Sequence, residues 1–227
     1  MYEDYDAMKD ALSRIAKNIT KGGLPKAESP MVFAVTGTGR VAQGILEVLE
    51  MLPHVKVTPD DLPKYLEENK DNKAHTKKVV ITTYAAKDLV RLKEPNGQPF
   101  DKAHYYKNPN LYTSKFHEHL PYISFLVNGI YWEPKYPRVL TSKELKAAVE
   151  NGTNRLMGVC DISADYDGSI EFTSKFTSIE EPFLVWDAVK MEFRDKIDQS
   201  DKNCILFHSV DHLPAEMPKE ASNHFGE

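Results

Sequence analysis

Cysteine is scarce, with only Cys160 and Cys204 in 227 residues. Both sit in apolar runs that read as strands, so the expectation is two buried thiols in a reducing compartment, not a disulfide. Long hydrophobic runs are missing too. None approaches the roughly 18 residues that a membrane span needs, and the acidic first segment lacks a signal or transit pattern. The expected location is cytoplasmic; the mitochondrial matrix is the alternative for a longer chain carrying a transit peptide. There is no excess of positive charge, with 29 Lys and Arg against 34 Asp and Glu, and a net charge of −5. With no basic run interleaved with aromatics, nucleic acid is not an expected partner, and neither is a membrane. No GxSxG, HExxH, CxxC or GxxxxGK[ST] string occurs, which removes the commonest hydrolase, zinc and P-loop readings. Internal repeats and low-complexity tracts are absent as well.

What is present is one organising stretch, Val32 to Gly44. Val32, Phe33, Ala34 and Val35 form a short apolar run suited to a central parallel strand. Gly37, Gly39 and Ala42 then match the GxGxxA form of the dinucleotide fingerprint. Gly37 permits the tight turn, Gly39 removes the Cβ that would block a pyrophosphate, and Ala42 lets the helix pack close to the strand. Apolar Val41, Ile45, Val48, Leu49 and Leu52 continue that helix at three- and four-residue spacing. Its unpaired N–H groups face the phosphates, so Gly37, Thr38, Gly39, Arg40 and Val41 are the expected cofactor cradle. Methyltransferases use related glycine turns for S-adenosylmethionine, and a nucleotide-sensing module without catalysis would carry the same loop.

Tyr5, Met8, Leu12 and Ile15 predict an amphipathic N-terminal helix ending near Gly22 and Gly23. Residues 1–30 are therefore expected to be a helix and linker, and 31–227 a single dinucleotide-binding domain. Strands are predicted at Met31 to Thr36, His54 to Val57, Val79 to Thr82, Ile123 to Val127, Leu156 to Ile162 and Cys204 to Val210. Helices are predicted through Tyr65 and Leu66, from Ala85 to Leu92, through Leu111, Phe116 and Leu120, from Thr141 with a Glu144 capping box, and from Pro214 and Glu216 onward. Residues 168–201 hold short alternating runs and are expected to be a hairpin insertion before the last strand. The fold class is α/β, a doubly wound, mostly parallel Rossmann sheet.

Asn128, Asp161 and Asp211 fall just past predicted strands, where open α/β sheets bind ligands; each alone equally suits a turn or a cap. Ser163, Asp165, Asp167, Gly168 and Ile170 mimic part of a calcium loop, but Ser174 stands where the bidentate Glu belongs, so an Asp-Gly turn is expected. His117 and His119, two apart, point to different helix faces, and no metal site is expected.

Several strings together are more specific than the glycine turn. They are Val35-Thr36-Gly37-Thr38-Gly39-Arg40-Val41, Val127-Asn128-Gly129-Ile130-Tyr131-Trp132-Glu133, Cys160 to Asp165 with Gly168 to Phe172, and Val210-Asp211-His212-Leu213-Pro214. Pro137 to Thr141 and Glu220 to Gly226 add to them. By these the chain resembles the reductase half of the bifunctional lysine-ketoglutarate reductase/saccharopine dehydrogenases, the aminoadipic semialdehyde synthases, whose fold is similar to alanine dehydrogenase and transhydrogenase. The resemblance implies an oxidoreductase of lysine degradation that acts on a CH–NH group with NADP, or alternatively NAD. Its small-molecule partners would be lysine, 2-oxoglutarate and saccharopine, met through a substrate domain outside this chain, and oligomers are possible. Most acid–base groups of the family lie in that other domain, so the isolated chain is expected to be inactive, with Asp211 facing the cleft as its one catalytic candidate. Thr82-Thr83-Tyr84-Ala85 departs from relatives that carry a basic, histidine-rich run there.

Cofactor choice rests on the residue at the end of the second strand, where NAD sites place an acid about 20 residues past the glycines. Thr58 stands there, and Asp60 and Asp61 beyond Pro59 are expected to cap the next helix. Thr58 with Arg40 or Lys56 could then donate to a 2′-phosphate, which predicts NADP over NAD.

Overall fold

The structure, a computed structural model, describes residues 2, 4–25, 29–95, 97–194, 201 and 203–226. Helix α1 (Tyr5–Gly22) starts where the Asp4 carboxylate accepts a hydrogen bond from Ala7 N at 2.9 Å, and it buries Met8, Ala11 and Ile19. Tyr5 N donates to Glu220 Oε1 at 3.0 Å, which ties this helix to the far end of the chain. The chain continues through β1 (Val32–Thr36), α2 (Arg40–Leu49), β2 (His54–Lys56), α3 (Leu62–Glu68) and β3 (Val79–Tyr84). A connection of α4 (Ala86–Leu89), β4 (Val90–Leu92), α5 (Lys102–Lys107) and β5 (Tyr112–Ser114) leads to β6 (Phe125–Asn128). Then come α6 (Ser142–Glu150), β7 (Gly158–Asp161), the hairpin β8 (Leu184–Asp187) and β9 (Glu192–Arg194), β10 (Cys204–His208) and α7 (Pro218–Gly226).

The main sheet has 8 strands in the order β2-β3-β1-β6-β7-β10-β8-β9. Every pairing from β2 to β10 is parallel, and the hairpin adds to β10 antiparallel. This is the expected doubly wound architecture with its insertion before the last strand. The winding reverses between β1 and β6, the position at which such sheets open a ligand crevice.

In this order β3, not β2, lies beside β1. The composition explains it. Val79, Val80, Ile81 and Thr82 are all buried, the near-continuous apolar run of a strand covered on both faces. His54-Val55-Lys56 is short and only half-buried, as suits an edge strand. The register also leaves β2 behind, because it stops at Lys56 opposite Ile81 while β1 and β3 run on to the Thr36–Tyr84 pair.

The connection after β3 departs from prediction. The helix expected from Ala85 to Leu92 lasts one turn: Asp88 Oδ2 accepts from Ala85 N at 2.9 Å at its start, and Val90 turns extended at its end. The helix expected through Leu111 and Leu120 is instead two 3₁₀ turns, Pro109–Leu111 and Phe116–His119, flanking β5. β5 pairs antiparallel with β4 in a separate two-stranded sheet. Phe100, Tyr105 and Tyr112 hold the excursion together, with Tyr105 and Tyr112 ring centroids 5.0 Å apart.

The Thr141 capping box forms as expected, with Glu144 N donating to Thr141 Oγ1 at 3.2 Å and Thr141 N donating to Glu144 Oε2 at 2.9 Å. At the C-terminal end Pro214 opens a 3₁₀ turn, Leu213–Glu216, and α7 begins only at Pro218. Cys160 and Cys204 form no disulfide, and both are half-buried instead of buried. No helix among the described residues is long and apolar enough to cross a membrane.

Candidate functional site

The glycine turn leaves β1 beside the end of β3, where Gly37 N donates to the Tyr84 carbonyl at 2.9 Å. Gly37 sits at φ 99°, in the left-handed region where L side chains are strained. A Cβ there would also meet the Gly129 carbonyl at 3.2 Å and Ile130 Cγ2 at 3.3 Å. Gly39 is different. It is the N-cap of α2 at φ −85°, it offers no side-chain cap, and no acid occupies the first turn. A Cβ built on it meets nothing within 4 Å, so it would project into open space at the mouth of the helix. Ala42, at 1% exposure, gives α2 its close approach to the sheet. An uncapped helix start over a Cβ-free residue is an anion cradle in geometry and in electrostatics.

That cradle forms one wall of a cavity of about 670 Å³. The walls on either side come from the segments that follow β3 and β6. Ala85, Ala86, Lys87, Leu89 and Val90 give one side, extended by Phe100, Lys102, Tyr105 and Tyr106. Gly129 to Trp132 and Tyr136 to Val139 give the other. Four cations line the cavity, Arg40, Lys87, Lys102 and Arg138, and among the described residues no carboxylate does. In a chain of net charge −5, this arrangement is complementary to negative charge.

Arg138 is held in place. Its guanidinium lies 5.1 Å from the Trp132 ring centroid and pairs with Asp167 Oδ1 at 3.0 Å, and it donates to the carbonyls of Asp167 and Gly168. Trp132 Nε1 donates to the carbonyls of Tyr136 and Pro137, each at 3.2 Å. The loop after β6 is thereby folded on itself and fastened to the Asp165–Gly168 turn, the stretch that mimics a calcium loop. Among the described residues, no group of His, Cys, Asp and Glu could hold a metal ion. Burial pushes the Tyr105 phenol up to about 12, so it faces the cavity as a neutral hydroxyl.

Gly37, Thr38, Gly39, Arg40 and Val41 all line the cavity, whereas five other candidates from the sequence do not. Thr58 is exposed past β2, donating to Asp61 Oδ2 at 2.6 Å and accepting from Asp61 N at 3.2 Å; it closes the turn that leads to α3, whose N-cap is Asp61 with no side-chain cap bond. Lys56 pairs with Glu50 at 2.6 Å. Asn128 and Asp161, at 0% and 1% exposure, lie beneath the floor, not in it. Thr36 Oγ1 donates to Asn128 Oδ1 at 2.7 Å, and Asn128 Nδ2 donates to Asp161 Oδ1 and Ser169 Oγ, each at 2.8 Å. Asp161 also accepts from Ser163 and Thr173, each at 2.7 Å, and Gly129 N donates to Thr36 Oγ1 at 3.2 Å. These side chains position the Gly129 turn. Asp211 is exposed beyond β10, with β7 between that strand and β6, and it does not reach the cavity.

The sequence reading missed Lys87, Lys102 and the aromatic wall. A signal existed for the first: the more apolar of the two strands after β1 belongs beside it, so the residues that follow Tyr84 belong beside the glycine turn.

No family model matches the chain. It is 39% identical over 237 residues to alpha-aminoadipic semialdehyde synthase of Arabidopsis thaliana, covering 100% of this chain and 22% of that protein. With mitochondrial alpha-aminoadipic semialdehyde synthase of Bos taurus the identity is 34% over 223 residues, 92% of this chain and 23% of the relative. The Mus musculus protein of the same name gives 33% over 240 residues, 100% of this chain and 25% of the relative. A solved L-alanine dehydrogenase aligns with 95% of this chain and 50% of its own, at 11% identity and a TM-score of 0.42. The chain spans a quarter or less of each of these curated relatives, and over that span it is homologous to one segment of the alpha-aminoadipic semialdehyde synthases.

Proposed function

We propose that the cavity binds a nicotinamide dinucleotide, NADP(H) in preference to NAD(H), and that the chain is the cofactor-binding part of a lysine-ketoglutarate reductase. The observation that carries this is the uncapped start of α2, with Gly39 open to a cavity of four cations and no carboxylate. The residues fit the group: the α2 amides would hold the pyrophosphate, and the aromatic and aliphatic walls would exclude water from the rings. Bound there, the nicotinamide would supply the hydride that turns the imine of L-lysine and 2-oxoglutarate into saccharopine. This chain's part is to bind and orient, with Gly37 setting the turn, the Asn128–Asp161 network fixing Gly129, and Arg138 fixing the opposite wall.

Binding without turnover is the expected behaviour of the chain alone, because no histidine or carboxylate lines the cavity among the described residues. The test is calorimetric titration of the 227-residue chain with NADPH, NADH and S-adenosylmethionine, and an assay with lysine, 2-oxoglutarate and NADPH. Nicotinamide binding with no saccharopine formed is expected. Failure to bind either nucleotide, or tighter binding of adenosylmethionine, would overturn the cofactor assignment; saccharopine formation by the purified chain would overturn the view that catalytic groups must come from elsewhere.

A further inference from the structure

In a dinucleotide fold the adenosine ribose rests at the end of the strand beside β1, which is ordinarily the second strand of the chain. Here that neighbour is the third. β3 ends level with β1 at the Thr36–Tyr84 pair, and Gly37 N is bonded to the Tyr84 carbonyl. The residues after Tyr84 are therefore the immediate neighbours of the phosphate cradle, and Thr58 stands a strand farther out, roughly 5 Å more across the sheet. Two side chains at the β3 end bear charge. Asp88 is 6% exposed and turned inward, its Oδ2 occupied by Ala85 N. Lys87 is exposed, lines the cavity and makes no ion pair among the described residues; the same holds for Arg40 at the start of α2.

We propose that Lys87, assisted by Arg40, binds the 2′-phosphate of the adenosine ribose and sets the preference for NADP(H). The proposal rests on the dinucleotide reading above and gives it a residue. An NAD site needs a carboxylate that accepts from the ribose 2′-OH; the one carboxylate at this strand end is spent on a backbone N–H, and the residue before it is an ammonium suited to a phosphate dianion. The specificity position has moved with the strand order, from the end of the second strand to the end of the third.

The experiment titrates the 227-residue chain with NADPH, NADH, adenosine 2′,5′-bisphosphate and AMP, in wild type, Lys87→Ala, Lys87→Glu, Arg40→Ala and Thr58→Asp. Lys87→Ala is expected to weaken NADPH and the bisphosphate by about tenfold or more, the worth of one charge-assisted contact, and to leave NADH and AMP within about twofold. Lys87→Glu should invert the preference and Thr58→Asp should leave it alone. Circular dichroism should show every variant folded, since Lys87 and Thr58 are both exposed. If both nucleotides bind but their ratio ignores Lys87, or moves with Thr58→Asp instead, this inference is overturned and the dinucleotide reading stands. If neither binds to wild type, both readings fall together.

Discussion

At the ends of β1 and β3, Arg40, Lys87 and the first turn of α2 have no ion pair or side-chain cap among the described residues. At the ends of β6 and β7, Asn128 and Asp161 are each held by three strong hydrogen bonds and shut away from solvent. Both halves of this rim carry polar residues at or just past the ends of apolar strands. They differ in where the partners are. A polar group taken out of water must find its bonds inside the protein, so the β6 and β7 half is structural, and the half left with unspent donors is the one available to a ligand.

The sharpest way to break this contrast is Asp161→Ala. It would leave donors on Asn128, Ser163 and Thr173 without their acceptor, and should cost roughly 3–5 kcal/mol of stability, because each unsatisfied buried donor is penalised. Urea denaturation measures it, and a loss under about 1 kcal/mol would mean that the network is not what holds the Gly129 turn. On the other half, Gly39→Val should weaken dinucleotide binding about 100-fold or more. It should leave the unfolding midpoint nearly unchanged, because its Cβ meets no protein atom; a large loss of stability would move Gly39 to the structural side. Gly37→Ala should do both in small measure. At φ 99°, with the Gly129 carbonyl 3.2 Å from its Cβ, it is expected to cost about 1–2 kcal/mol, with binding weakened in step.

The smallest effect expected is a dependence on pH that belongs to neither half. His119 packs edge-on to Tyr84 with ring centroids 4.9 Å apart, and its Nδ1 is buried with no hydrogen-bond partner among the described residues. Burial and then the Lys115 ammonium hold its imidazole below the usual histidine range, and burial with Lys78 does the same to His75. Folding therefore favours the neutral rings. Their contribution is complete above the unfolded value of about 6.5 and is lost as pH falls from there toward the depressed folded values. Denaturation midpoints at pH 7.5 and 5.5 should show that drop reduced in His119→Asn; an equal drop in both proteins would remove His119 as a source.

Much of the frame was legible. The glycine turn, the parallel core strands, the α6 capping box and the hairpin before β10 all follow from local patterns strong enough to survive their surroundings. The excursion after β3 was not legible, because its pieces are a single helical turn, strands of three residues and 3₁₀ turns, held by aromatic contacts between Phe100, Tyr105, Tyr112 and Tyr136 that no local period encodes. Thr58, Asn128 and Asp161 stand at or just past strand ends, which is as much as a local pattern conveys. What keeps them out of the cavity lining is tertiary: the order of two strands in one case, and in the other the pairing of buried polar groups with one another.

The charges of the cavity carry a kinetic consequence. An anionic ligand approaching from bulk solution meets a body of net charge −5, and comes under the local field of Arg40, Lys87, Lys102 and Arg138 only within about one Debye length, near 8 Å at physiological ionic strength. Added salt screens the distant repulsion as well as the near attraction. The association rate should therefore respond weakly to ionic strength, with the salt dependence of affinity carried by dissociation, the reverse of a protein that gathers its ligand by long-range steering.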